Sequence, residues 1–195
     1  MDLHADEPAL NAMAERIAVV GHKGVPRHDQ PAVRRYYETA TVIHIEVAEG
    51  ERDAVVEAAQ ASQAAISWDY LDGHPRFVRL VYLGVAFPPR DEAVAALQLA
   101  CALRQGHSGA ARPMGIGMGR LFYKQDQESS EQRNMAGLLL QVLIILATAS
   151  RQDGHILIND ALYEILQDRV KSEEIGLLEN EAGISLKAYR FLGET

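Results

Sequence analysis

Any chemistry in this 195-residue chain must come from a short set of side chains, and most arrangements of them fail on spacing. The seven histidines (His4, His22, His28, His44, His74, His107 and His155) contain no HxxxH pair. Cys101 is the only cysteine, so neither a tetrahedral zinc set nor an intramolecular disulfide is expected. The passage around Gly21 (VVGHKGV) lacks the second glycine, Lys and Ser/Thr of a phosphate loop, since Pro26, Arg27 and His28 follow. Gly115, Gly117 and Gly119 are spaced like a dinucleotide fingerprint, yet Arg120 stands where a further glycine is required. Glycines in a strand more often mark a close backbone approach. Gly106-His107-Ser108-Gly109 is one residue short of a nucleophile elbow and precedes a strand instead of following one. What remains is His44 and Glu46, two residues apart, able to share one face of a strand and line a groove.

The elements that would position these groups follow from periodicity. Gly137–Ala149 (GLLLQVLIILATA) is the longest apolar run, broken only by Gln141. Its length predicts a helix, and a helix apolar all round is buried in a core or against another subunit. It is too short to cross a bilayer, which takes about 20 residues. Thr41–Val47 predicts a strand with Ile43, Ile45 and Val47 on one face and His44 and Glu46 on the other. A helix is predicted over Glu51–Ile66, a turn at Asp72–Pro75, and one extended strand or a tight hairpin over Arg76–Phe87. A helix from Asp91 to Arg104 follows, carrying Cys101 as a buried, inert thiol. Pro113–Phe122 predicts a strand, Tyr123–Asn134 a surface loop, and His155–Ile158 a buried strand. Asn159 or Asp160 then caps a helix bearing Leu162, Ile165, Leu166 and Val170, and Ile184–Leu192 closes the chain as a strand. Residues 1–35 read as a short helix (Leu10, Met13, Ile17, Val20) and a Gly/Pro linker, leaving 36–195 as the main domain. Alternating strands and helices make the fold α+β, a sheet with helices packed on it. The net charge of −8 argues against non-specific nucleic-acid binding. The N-terminus has no signal-peptide pattern, and cytoplasm is the expected compartment, with no membrane contact.

The order of elements from Thr41 to Leu192 resembles the class III adenylate/guanylate cyclase homology domain, over about four-fifths of the chain. Gly115-Ile116-x-x-Gly119-x-Leu121 is similar to the family's GIHTGEV strand. Gly137 stands where the family has GDTVNLAARL. Asp153–Leu166 (DGHILINDALYEIL) resembles PGQILISEATYELL, Ala188-Tyr189-Arg190 fits the closing strand, and Phe87-Pro88 with the helix after it fits VFP…EDAVRAAL. The resemblance implies a ferredoxin-type cyclase sheet that works as a head-to-tail dimer with the nucleotide at the interface. It also implies two metal-holding aspartates, a base-reading Lys, and a catalytic Asn and Arg on the interface helix.

Carried over position by position, the first aspartate falls on Glu46 and the second on Val81, counted back from Phe87, with its glycine on Leu80. Asp72-Gly73 imitates that motif but sits too close to Glu46 in sequence and too far before Phe87. The Lys falls near Phe77, the Asp after Gly137 on Leu138, the Asn on Gln141 and the Arg on Ile145. Mg²⁺ asks for oxygen ligands that Val81 does not supply, and Ile145 removes a cation aimed at developing charge. The expectation is a degenerate, catalytically inactive cyclase-like domain, without metal or cofactor. It would act in signalling as a homodimer or by docking a protein partner through Leu138, Leu139, Val142 and Ile145. Two alternatives are a purine-nucleotide sensor, with Glu46, Phe77, Gly117 and Gln141 lining a pocket, and an active cyclase with unusual residues.

Overall fold

The computed structural model describes residues 34–48, 50–71, 74–83, 89–104, 112–125 and 134–195. In chain order they form β1 (Arg34–Glu46), α1 (Arg52–Ala61), β2 (Ala65–Leu71), β3 (His74–Leu83), α2 (Pro89–Leu103), β4 (Met114–Gln125) and β5 (Asn134–Ala136). There follow α3 (Leu138–Asp153), β6 (Leu157–Asn159), α4 (Asp160–Leu166), β7 (Val170–Glu179) and β8 (Ser185–Glu194). The strands make one sheet in the order β2-β3-β1-β4-β6-β8-β7, with β5 added on β4. The β4–β6 pairing is parallel and the others are antiparallel. The α+β class is therefore observed, with helices on both faces of a mixed sheet.

The strand period of two decides which helix covers which face. Ile43, Ile45, Val78, Leu80 and Ile116 point to one side, where α1 (Val55, Ala59), α2 (Ala93, Ala96, Leu97, Ala100) and α4 (Leu162, Leu166) close the larger core. Ala40, Val42, Val81 and Leu121 point to the other, where Leu139 and Leu143 of α3 cover them. The glycines of β4 let α3 lie this close. A Cβ on Gly115 would stand 2.6 Å from Leu146 Cβ and 2.9 Å from the Ala147 nitrogen. Two polar side chains, Ser150 buried and Asn159 half-buried, fix the helices to the strands. Ser150 Oγ in α3 accepts from the Met114 N–H at 3.0 Å and donates to the His155 carbonyl. Asn159 Oδ1 caps α4 through Leu162 N–H (3.2 Å) and accepts from Met118 N–H (3.0 Å), while its amide donates back to the Met118 carbonyl.

Several boundaries differ from the sequence expectation. The helix expected to reach Ile66 stops at Ala61: Ser62 Oγ donates to the Ala59 carbonyl, Gln63 takes a left-handed φ of 61°, and the β-rich AISWDYL becomes β2. The segment from Arg76 is one strand of a hairpin with β2. Tyr123–Gln125 extend β4 and Asn134 starts β5, so both ends of the expected surface loop are strand. Val170 does not sit on α4 but begins β7, because α4 ends at Leu166. The β7 strand itself was not expected; its exposed side carries Lys171, Glu173 and Leu177 and gives the segment no clean alternation. Cys101 is exposed, not buried, although partial burial and the Glu194 carboxylate still raise its thiol pKa. Arg34 and Arg35, expected in the linker, belong to β1. The N-terminal helix, the rest of the linker, Asp72-Gly73, Phe87 and Gly106–Gly109 lie outside the described residues.

Candidate functional site

His44 and Glu46 do share one face of β1, the face on which α3 packs. Strand pairing puts Phe77 of β3 opposite Glu46, and Arg79 opposite His44. Gly115 of β4 lies on the other side of His44. Since Gly115 has no side chain, α3 presses onto the sheet there and leaves an open cleft beside it. The cleft has a volume of about 410 Å³ and is bounded by His44 and Phe77 below, Pro113 at one end, and Ile144, Ala147, Thr148 and Arg151 of α3 above.

Its electrostatics are set by three charged groups. The Arg151 guanidinium, in the last turn of α3, hydrogen-bonds Glu46 Oε2 across 105 residues of sequence. His44 stacks on Phe77 with ring centroids 5.2 Å apart and planes nearly parallel. It is 4% exposed, and burial, reinforced by the Arg79 charge, lowers its pKa to about 4. The imidazole is therefore neutral at physiological pH. Its Nδ1 has no hydrogen-bond partner among the described residues.

The positions carried over from the cyclase pattern do not converge. Val81 is buried in the sheet opposite Val42, four residues before Glu46, which puts it about 13 Å from Glu46 at roughly 3.3 Å per residue. Metal ions of a two-metal site stand only about 3.5–4 Å apart, so a carboxylate at position 81 could not share such a pair with Glu46. Among the described residues, no group of three His, Cys, Asp or Glu side chains gathers where a metal could sit. With Glu46 bonded to Arg151 and an apolar Val81, the described donor set does not fit a two-metal centre.

On α3, Leu139 and Ile145 are buried in their own protomer, at 4% and 7% exposure, and Val142 is half-buried beside Leu146 and Ala188. Leu138 (60% exposed), Gln141, Ile144 (41%), Thr148 and Arg151 form the outward stripe instead. Leu138 and Ile144 make the first half of that stripe partly apolar, while Gln141, Thr148 and Arg151 make the rest of it polar. Gly117 is covered by the Leu139 side chain and does not open on the cleft, and Gln141 does not border it. Sequence reasoning missed Arg151, Arg79 and the His44–Phe77 stack. Cross-strand register would have revealed the last two, but nothing local signals the Arg151 contact.

Comparison with solved structures places this fold. It superposes on the adenylyl cyclase CyaB from P. aeruginosa with a TM-score of 0.64 at 16% identity, covering 83% of this chain and 97% of that one. The guanylate cyclase domain of RhGC from Catenaria anguillulae, solved with GTP, gives 0.59 at 13% identity, covering 83% and 100%. The guanylyl cyclase domain of the RhoGC fusion protein from Blastocladiella emersonii, solved in dimeric and monomeric forms, gives 0.53 for each, at 14% and 12% identity, covering 84% of this chain and 99% of that one. No protein-family model matches the sequence, and no curated protein matches it. The chain has the fold of the class III nucleotide cyclase domains. No helix among the described residues is long and apolar enough to cross a membrane.

Proposed function

We propose that this domain is a catalytically inactive relative of the nucleotide cyclases, acting in intracellular signalling by pairing with a second copy or docking a protein partner. The observation that carries the reading is the Glu46–Arg151 bond. The carboxylate at the first metal position is held by a cation from its own protomer, where a catalytic domain would leave it to a metal. Supporting it, the catalytic Arg position is Ile145, packed inward, and the first turns of α3 present Leu138 and Ile144 to solvent. Covering such side chains contributes up to about 1.5–3 kcal/mol each, which favours association through this stripe. Because Leu139 and Ile145 are already buried within the protomer, Leu138 is the position at which to test pairing. Light scattering should find the wild type associated at micromolar concentration and Leu138→Arg shifted to monomer. A monomeric wild type, or a variant that pairs unchanged, sinks the association.

A cyclase assay with Mn²⁺ and ATP or GTP tests the inactivity, since an active domain gives cyclic nucleotide.

A further inference from the structure

The outward stripe of α3 has an internal symmetry in its first two turns. Leu138, Gln141 and Ile144 follow one another at i, i+3 and i+6, and all three are exposed. Apolar, amide and apolar side chains therefore stand in a row along one ridge of the helix. The row reads the same from either end, with Gln141 at its centre. Leu140 and Val142, each partly buried against the domain, flank it on opposite sides. Gly137–Ser150 contains no charged residue, in a chain whose net charge is −8. Two copies of an acidic chain repel, and this ridge lets them meet with no like charges in contact. Arg151 stands ten residues beyond Gln141, about 15 Å along the helix, and is bonded to Glu46.

Resting on the association proposed above, we infer that two copies pair ridge to ridge, with a two-fold axis crossing the ridge at Gln141. Leu138 of each copy then lies against Ile144 of the other, and the two Gln141 amides face each other at the axis. An amide carries both a donor NH₂ and an acceptor oxygen, so two of them related by a two-fold exchange hydrogen bonds reciprocally. A two-fold contact uses the same patch on both copies and requires that patch to match itself. The palindrome meets that requirement, whereas a different protein would have no use for it. The central amide also fixes the register, because a slip of one turn sets Gln141 against an apolar side chain. The arrangement places α3 directly on α3, unlike the head-to-tail pair with a nucleotide at its interface.

Cysteine cross-linking on the full chain tests it, in a Cys101→Ser background because Cys101 is exposed. With a short bismaleimide, Gln141→Cys should give a covalent dimer in high yield, and Arg151→Cys should not. Leu138→Cys mixed with Ile144→Cys should cross-link more than either variant alone. Gln141→Glu sets two carboxylates face to face and should weaken association about tenfold or more at pH 7. Light scattering on the wild type separates the two levels of the claim. A monomeric wild type removes the association, leaving the ridge to a different partner, and this geometry falls with it. The geometry alone is overturned if the wild type associates and Gln141→Cys stays uncross-linked. It is likewise overturned if Arg151→Cys cross-links as well as Gln141→Cys, if the mixture does no better than its components, or if Gln141→Glu pairs unchanged.

Discussion

The close seating of α3 on β4 makes Gly115→Ala the sharpest probe of the fold. Gly115 lies in extended backbone, so alanine meets no conformational barrier there and would ordinarily help a strand by roughly 0.5–1 kcal/mol. The new methyl would instead stand 2.6 Å from Leu146 Cβ and 2.9 Å from both the Ala147 nitrogen and the Leu143 carbonyl. Two of those three atoms are helix backbone, which cannot rotate aside, so α3 must lift from the sheet. Overpacking of this kind costs about 1–3 kcal/mol, and a backbone obstacle puts it at the upper end. Gly119→Ala is the internal control. Its nearest neighbour is the tip of Leu139 at 3.5 Å, an ordinary contact. In urea and thermal unfolding followed by circular dichroism, Gly115→Ala should lose about 2–3 kcal/mol and about 5–10 °C. Gly119→Ala should stay within about 1 kcal/mol of wild type. Equal stabilities for the two variants would refute the helix-on-glycine packing, and with it the origin of the neighbouring cleft.

His44 should leave a signature in the pH dependence of stability. Its folded pKa is lowered to about 4 from an ordinary 6.5, so its contribution is present above pH 6.5 and is lost as pH falls from there toward 4. The shift corresponds to about 3 kcal/mol over that window. His44→Leu should flatten the fall in denaturant midpoint by that amount, and an unchanged slope would show that the ring is not buried neutral. Asn159→Ala removes the cap of α4 and both bonds to Met118, for a cost of about 2–4 kcal/mol. Asn159→Ser keeps a side-chain oxygen for the cap of α4 but is too short to span both Met118 groups, so it should be milder in the same unfolding assay; a loss equal to that of Asn159→Ala would show that the Met118 bonds dominate.

Much of the fold was legible because its signals are local. The alternation in Thr41–Val47 separated the core face from the groove face correctly, and the glycines of β4 were rightly taken as marks of close approach instead of a nucleotide fingerprint. The apolar run of α3 was found, but length and hydropathy could not say which side of it would remain exposed. That depends on β4, whose missing side chains fix the helix's rotation about its own axis. β2 escaped because an Ala-rich helix runs into it with only Ser62 and Gln63 between, and β7 because its outer face is charged. The site was less legible than the sheet. Glu46 and Arg151 are joined only by folding, and counting back from Phe87 led to Val81, which the strand register places four residues away from Glu46 along the sheet.

Cyclic nucleotide production tests the central claim most directly. Purified full chain, at a concentration above any association midpoint, is incubated with Mn²⁺ and ATP or GTP, and cAMP and cGMP are measured. The account predicts no product above the protein-free background, in the wild type and in Arg151→Met alike. Product that appears in the wild type and disappears in Glu46→Gln would contradict it.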